Sequence, residues 1–282
     1  MAIYKDSKHT GERALFALKD SELIGCTFYD GESPLKEGRN LKVNKCVFKW
    51  KYPLWYCENV DVTNTLITYT ARSGIWYTKN ITMTNCNIES PKTFRRAEKV
   101  VLENCTLPNA LETFWNCKNI KLTKVTAKGD YFGFNSENIE IDFFDLDGNY
   151  CFDGGKNIVI RNSILRSKDS FWNSENVTCI NCTIIGEYLA WNSKNLTFIN
   201  CKIESHQGFC YIDGLKMINC ELVNSDLCFE YCHDLDIELT NVVESIKNPY
   251  SGKIRAKGIK HLYMDDKYVD PSKTRVIVDK HE

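Results

Sequence analysis

Lys168, Glu187 and His206 recur at an interval of 19 residues, with Asp169 beside the first of them. An ammonium, a carboxylate and an imidazole on neighbouring rungs of a structure would supply the groups that acid/base chemistry needs. Trp172 and Trp191 are spaced by the same interval, and Asp153 lies one interval before Trp172. The Trp position recurs along the chain as Trp55, Trp76, Arg95, Trp115, Phe134, Asp153, Trp172, Trp191, Cys210 and Glu230. Flat rings in a row suit stacking on sugar rings or other planar ligands. Tyr131 and Tyr188 flank the row, and Arg95–Arg96 replace an indole with a basic pair suited to a carboxylate or phosphate group.

None of this chemistry exists unless the fold brings residues about 20 apart side by side. The stretch 157–213 shows that it does, as three units: NIVIRNSILRSKDSFWNSE, NVTCINCTIIGEYLAWNSK and NLTFINCKIESHQGFCYID. Stepping the register outward from Asn157 gives starts at Asp20, Asn40, Asn59, Asn80, Lys99, Asn119, Asn138, Asn176, Asn195, Gly214 and Asp234. Asn suits these positions because it tolerates positive φ and bonds its own backbone. The second and fourth residues of each unit are apolar, as in Val177/Cys179 and Leu196/Phe198, which is a strand with one buried face. A second short strand carries the column Phe48, Ile67, Ile88, Leu107, and a third ends in Leu54, Ile75, Phe94, Phe114. Three short strands in 19 to 21 residues leave no room for a helix. The expected fold is therefore all-β: a right-handed single-stranded parallel β-helix of eleven or twelve coils, preferred over a leucine-rich repeat.

Stacking is tested independently by the residue before each start: Arg39, Glu58, Lys79, Glu98, Lys118, Glu137, Lys156, Glu175, Lys194, Asp213. The sign alternates at every step, as it should if these side chains lie about 4.8 Å apart on adjacent coils. Residues 1–19 read as an N-terminal cap, helical over 11–19 (GERALFALK), 20–244 as coils and 245–282 as a last irregular coil and cap, all in one domain. DGESPLKE (30–37) and KYPLW (51–55) read as loops overhanging the aromatic face.

The 14 cysteines have a bland explanation. Seven share a column (Cys26, Cys46, Cys86, Cys105, Cys182, Cys201, Cys220) with Thr65, Val125 and Ser163, which describes compact inward side chains. The CxxC of Cys179 and Cys182 falls within two inward columns, and no His spacing completes a zinc site, so neither metal nor cofactor is expected. Net charge is −1, which gives no pull toward nucleic acid or an acidic membrane surface. The opening MAIYKDSKHTGER has no apolar core of a signal peptide, so a soluble cytoplasmic protein is expected.

Asn at the turns, inward stacks of like residues and coils without helices resemble the pectate-lyase-like superfamily of right-handed parallel β-helices. DGESPLKE, WKYPLWY, GIWY, DGNYCFDGG, SKDSFWN and GEYLAWNS together are similar to one bacterial β-helix family with no assigned function. The resemblance implies a fold and not a reaction. The superfamily's enzymes use clustered Asp or Arg/Lys on one face, and Asp130, Asp153 and Asp169 lie in different columns here.

Three functions stay open. The aromatic and charged residues form a trough with a floor of small residues (Pro53, Gly74, Thr93, Thr113, Ser170, Gly208), which would bind a carbohydrate-like or other small ligand. Trp55, Trp76, Arg95, Arg96, Trp115, Tyr131, Trp172, Tyr188 and Trp191 would contact it. Alternatively Lys168, Glu187, His206, Asp153 and Asp169 make it a lyase or hydrolase, or the face serves as a scaffold for another protein or a second copy. Against all three, the rings could stack on one another as an outer ladder, and the charged column could be an exposed salt ladder.

Overall fold

The second and fourth residues of the repeat, apolar in sequence, are buried in the computed structural model, which describes residues 1–279. The fold is an all-β parallel solenoid of about 15 turns. It divides into two compact units, Met1–Asp147 and the part from Gly148 onward. In the first, the strands Lys19–Ile24, Arg39–Asn44, Glu58–Thr63, Lys79–Thr84 and Glu98–Glu103 pair in parallel and in register, Leu41 opposite Val60 and Val60 opposite Ile81. The second repeats the construction with Lys156–Arg161, Glu175–Ile180, Lys194–Ile199 and Asp213–Leu222.

The inward columns are continuous. Val60, Ile81, Val100 and Ile120 are buried, and Phe28–Phe48 and Phe94–Phe114 stack almost parallel with centroids 4.8 and 4.5 Å apart. The alternating charges are paired as the register requires: Arg39 with Glu58, Lys118 with Glu137 at 2.6 Å, and Lys156 with Glu175 at 3.5 Å.

The ladder runs further than the sequence register. Ala2–Lys5 pairs with Ser21–Ile24, so 11–18 is the turn segment of an earlier coil, Lys19 opens the next strand, and the expected helical cap over 11–19 does not form. The turn's amides bond the next coil, Arg13 N–H to Glu32 O and Ala17 N–H to Lys36 O, which a helix would have kept for itself. Past residue 245, Gly252–Ala256 and Thr274–Val278 continue the main ladder, and Gly258–Tyr263 pairs with Val242–Lys247 in a separate two-stranded sheet. The only helical element among the described residues is the 3₁₀ turn Pro271–Lys273; the end of the expected C-terminal cap, 280–282, lies outside them.

The third strand is not a strand. Each coil instead closes through a turn in which alternate residues are left-handed, for example Tyr52 (φ 64°), Leu54 (57°) and Tyr56 (57°), or Asp169 (55°), Phe171 (58°) and Asn173 (53°). The segments 30–37 and 51–55 are such turns, held in register by Ser33 N–H to Lys51 O, and do not overhang.

All 14 cysteines are free and buried. Most of their thiols point at main-chain carbonyls: Cys201 Sγ lies 3.3 Å from Ile199 O and 3.4 Å from Cys179 O on the preceding coil. Thr65 and Ser163 make the same bond to the carbonyl two residues back, which explains why they share the column. A parallel column lies where the turn meets the next long strand. There Ser193 Oγ donates to Phe171 O (2.6 Å) and accepts from Ser174 N–H (3.1 Å), while Cys57 and Cys117 direct their thiols at the equivalent carbonyls. Burial pushes the Cys57 and Cys117 thiols up to about 12, so both are neutral donors. Ser193→Ala leaves a buried amide and a buried carbonyl without this partner, an expected loss of about 1–3 kcal/mol in urea unfolding. Ser193→Cys is expected to lose clearly less, because thiols already fill this position elsewhere in the column.

Candidate ligand-binding face

The outward side chains of the turns are where ring and charge collect, and the two units use them differently. In Met1–Asp147, Trp55 and Trp76 stack with centroids 5.1 Å apart and planes 8° apart. The Arg95 guanidinium follows, 4.8 Å from the Trp76 ring and 4.5 Å from Trp115, and Phe134 then packs on Trp115 at 4.8 Å. Both faces of Trp76 are thus covered from within the chain. Each indole N–H is also bonded: Trp55 to Ser73 O, Trp76 to Lys92 O and Trp115 to Tyr131 O. Arg95 already holds a carboxylate, Glu112, at 2.7 Å, and Lys92 reaches the same group at 3.3 Å. Arg96 is exposed, with its guanidinium 5.8 Å from the Tyr77 ring. Tyr131 lies on the surface, edge-on to Trp115. The small residues expected as a trough floor, Pro53, Gly74, Thr93 and Thr113, are all buried and form no floor.

In the unit from Gly148, Trp172 and Trp191 stack at 5.6 Å and 9°, with their N–H groups on Tyr188 O and Gln207 O. Here the row is broken on both sides, because the preceding position is Asp153 and the following one is the buried Cys210. Asp153 Oδ1 accepts from Asn173 Nδ2 at 3.0 Å. The column of Lys168, Glu187 and His206 does not act as a trio. Lys168 Nζ pairs with Glu187 at 3.3 Å, which holds the ammonium proton more tightly and raises its pKa. His206 Nδ1 turns instead to Asp226 Oδ1 at 2.6 Å. Tyr188 sits between the pairs, 5.1 Å from Lys168 Nζ and edge-on to His206 and Trp191. A further pair, Glu230 and Lys247 at 2.8 Å, is nearly buried on the acid side, and Gln207 donates to that acid.

Asp169 differs from its expected place. Its side chain is only 3% exposed, although Lys168 beside it is exposed. It lies in the column Tyr150, Asp169, Tyr188, accepts a hydrogen bond from Tyr150, and leaves Lys168 to Glu187. Desolvation raises the pKa of this carboxyl, while Lys168 works in the opposite direction. Asp226 shares the charged column of Lys168, Glu187 and His206, while Tyr150 and Glu112 carry no signal of their own in the sequence. Tyr150 and Asp226 occupy the positions equivalent to Asp169 and His206 on an adjacent coil, so the period itself is their signal, whereas Glu112 lies three positions before Trp115, the residue opposite Arg95.

Among the described residues no group of three or more His, Cys, Asp or Glu side chains is placed to hold a metal ion, and no helix is long and apolar enough to cross a membrane.

The fold defines the chain as a parallel β-solenoid protein. It belongs to the family described as a protein of unknown function, DUF3737, which it matches over residues 2–277. No curated protein matches the sequence. Solved structures with a similar fold include the A-module of mannuronan C-5 epimerase AlgE4 from Azotobacter vinelandii, at 9% identity and a TM-score of 0.45, covering 79% of this chain and 87% of that one. Another is PfbA, a surface adhesin of Streptococcus pneumoniae, at 12% and 0.42, covering 78% and 71%. A third is the catalytic domain of a GH87 α-1,3-glucanase in complex with nigerose, at 10% and 0.39, covering 98% and 63%.

The buried acid gives a pH prediction. A carboxyl whose folded pKa is raised contributes stability below its unfolded value, 3.8, and loses it as pH rises through the folded value. Asp169→Asn cannot ionise, so its unfolding midpoint in urea is expected to gain on the wild type between about pH 3.5 and pH 7. A difference independent of pH would show that Asp169 is not held against its charge.

Proposed function

We propose that the turn face around Trp172 and Trp191 binds a small carbohydrate-like molecule. The observation that carries this reading is Asp169: a carboxyl withdrawn from water between two tyrosines, beside the break in the indole row where Asp153 precedes Trp172. Burying a carboxyl against its ionisation is unfavourable, and such groups concentrate at functional sites. A sugar ring packed against Trp172 would meet the carboxylates of Asp153 and Glu187 and the ammonium of Lys168 with its hydroxyls. Binding is favoured over catalysis because Glu187 and His206 are committed to separate partners, Lys168 and Asp226. In the other unit, Trp55, Trp76, Arg95 and Trp115 serve as a self-satisfied ladder. We place the protein in the cytoplasm, since 14 unpaired thiols suit a reducing compartment.

The test is a neutral and acidic oligosaccharide array followed by calorimetry on any hit. Trp172→Ala and Asp153→Ala are expected to weaken binding by about 1–3 kcal/mol each, the scale of a lost ring contact or charged hydrogen bond. Trp172→Phe should retain most of it. A hit that ignores Trp172→Ala, or an array without hits, removes the reading.

A further inference from the structure

Apart from this face, the unit Met1–Asp147 carries a groove of about 470 Å³ whose wall contains Tyr56 and Tyr77. The size is that of a small-molecule site. The two phenol rings stack with centroids 4.7 Å apart and planes 4° apart, and Tyr56 remains 44% exposed. Lys36 Nζ lies 5.5 Å from the Tyr56 ring at the same end of the groove. Three cations, Lys36, Arg39 and Lys79, face two carboxylates, Glu37 and Glu58. Arg39 is paired with Glu58, while Lys36 and Lys79 make no ion pair at salt-bridge distance among the described residues. The groove therefore offers two ammonium groups without a salt-bridge partner beside a wall of two stacked phenols. The Cys57 thiol that also lines it is neutral, since burial holds its pKa near 12.

We propose that this groove binds a ring compound bearing a carboxylate or phosphate group, the anion held between Lys36 and Lys79 and the ring lying along Tyr56 and Tyr77. The ammonium groups supply attraction without a fixed fork, so either anion is accommodated. The stacked phenols supply ring edges for apolar, edge-on contact, each with a polar tip. The site shares no residue with the Trp172–Trp191 face, and its failure leaves that reading untouched.

Saturation-transfer NMR and calorimetry with glucuronate, glucose 6-phosphate and glucose test it on the full chain. At least one of the two anions is expected to bind with a millimolar Kd, with neutral glucose at least tenfold weaker. Binding of one anion alone identifies carboxylate or phosphate as the source. The double variant Lys36→Gln/Lys79→Gln should lose at least tenfold, and Lys36→Arg/Lys79→Arg should keep binding within about threefold. For the wild type, affinity should fall between about 50 and 500 mM salt, a readout that does not depend on how any variant folds. No binding of either anion, equal binding of glucose, or an affinity indifferent to salt overturns the proposal.

Discussion

Each residue in this protein is constrained above all by the residue 19 to 21 places away, because main-chain hydrogen bonds such as Lys194 N–H to Ser174 O hold adjacent coils in register. That bond is what turns a sequence into columns. A column of identical charges would place like charges about 4.8 Å apart, so the row at Arg39, Glu58, Lys79 and Glu98 alternates. A column of rings can face itself, so Phe94 meets Phe114 and Trp55 meets Trp76 with nearly parallel planes. Each surface pair is worth little alone. Their value lies in register: a slip of one residue along a coil would turn every buried side chain outward.

Register also changes what counts as a functional signal. Spacing at 19 residues looks like the mark of a catalytic trio, yet Lys168, Glu187 and His206 have the spacing of everything else in the chain. Their geometry shows Lys168 paired with Glu187 and His206 hydrogen-bonded to Asp226. In a solenoid the informative residue is the one that breaks its column without a stacking reason. Asp153 interrupts the indoles, and Asp169 interrupts a run of tyrosines and is buried besides. Arg95 also breaks the indole row, but its planar guanidinium fills the gap as a ring would, with Glu112 balancing its charge. Shape and charge together therefore separate a structural substitution from one that asks for a ligand.

The strands, their register, the charge alternation and the inward cysteines were legible because each follows from a period of two within a strand and about 20 between coils. The turn was not legible. Leu54, Ile75, Phe94 and Phe114 are apolar and regularly spaced, which in sequence is indistinguishable from a strand, and their left-handed conformation has no marker of the kind Asn provides at Asn59 or Asn80. The same gap hid the burial of Asp169, since simple alternation beyond Lys168 fails once the backbone alternates its handedness. Residues 11–19 have helical composition, but the coil after them offers hydrogen-bond partners and a register to join. Tertiary pairing outweighed a weak local preference there.

The turns also explain how a surface made of loops holds side chains in fixed geometry. A left-handed conformation costs an ordinary residue about 1–2 kcal/mol, and a β-branched one such as Ile75 (φ 58°) is among the least suited to it. Burying a Leu, Ile or Phe side chain returns about 1.5–3 kcal/mol. Leu54, Ile75, Phe94, Phe114 and Phe171, all left-handed, have no exposed area. Each strained residue is thus also an anchor in the core, and release of the strain would require its ring or branched chain to leave the stack. The residues directly after them, Trp55, Trp76, Arg95, Trp115 and Trp172, stand on a backbone clamped from below. A binding face needs its groups ordered before the ligand arrives, and here the order comes from the core column one residue away.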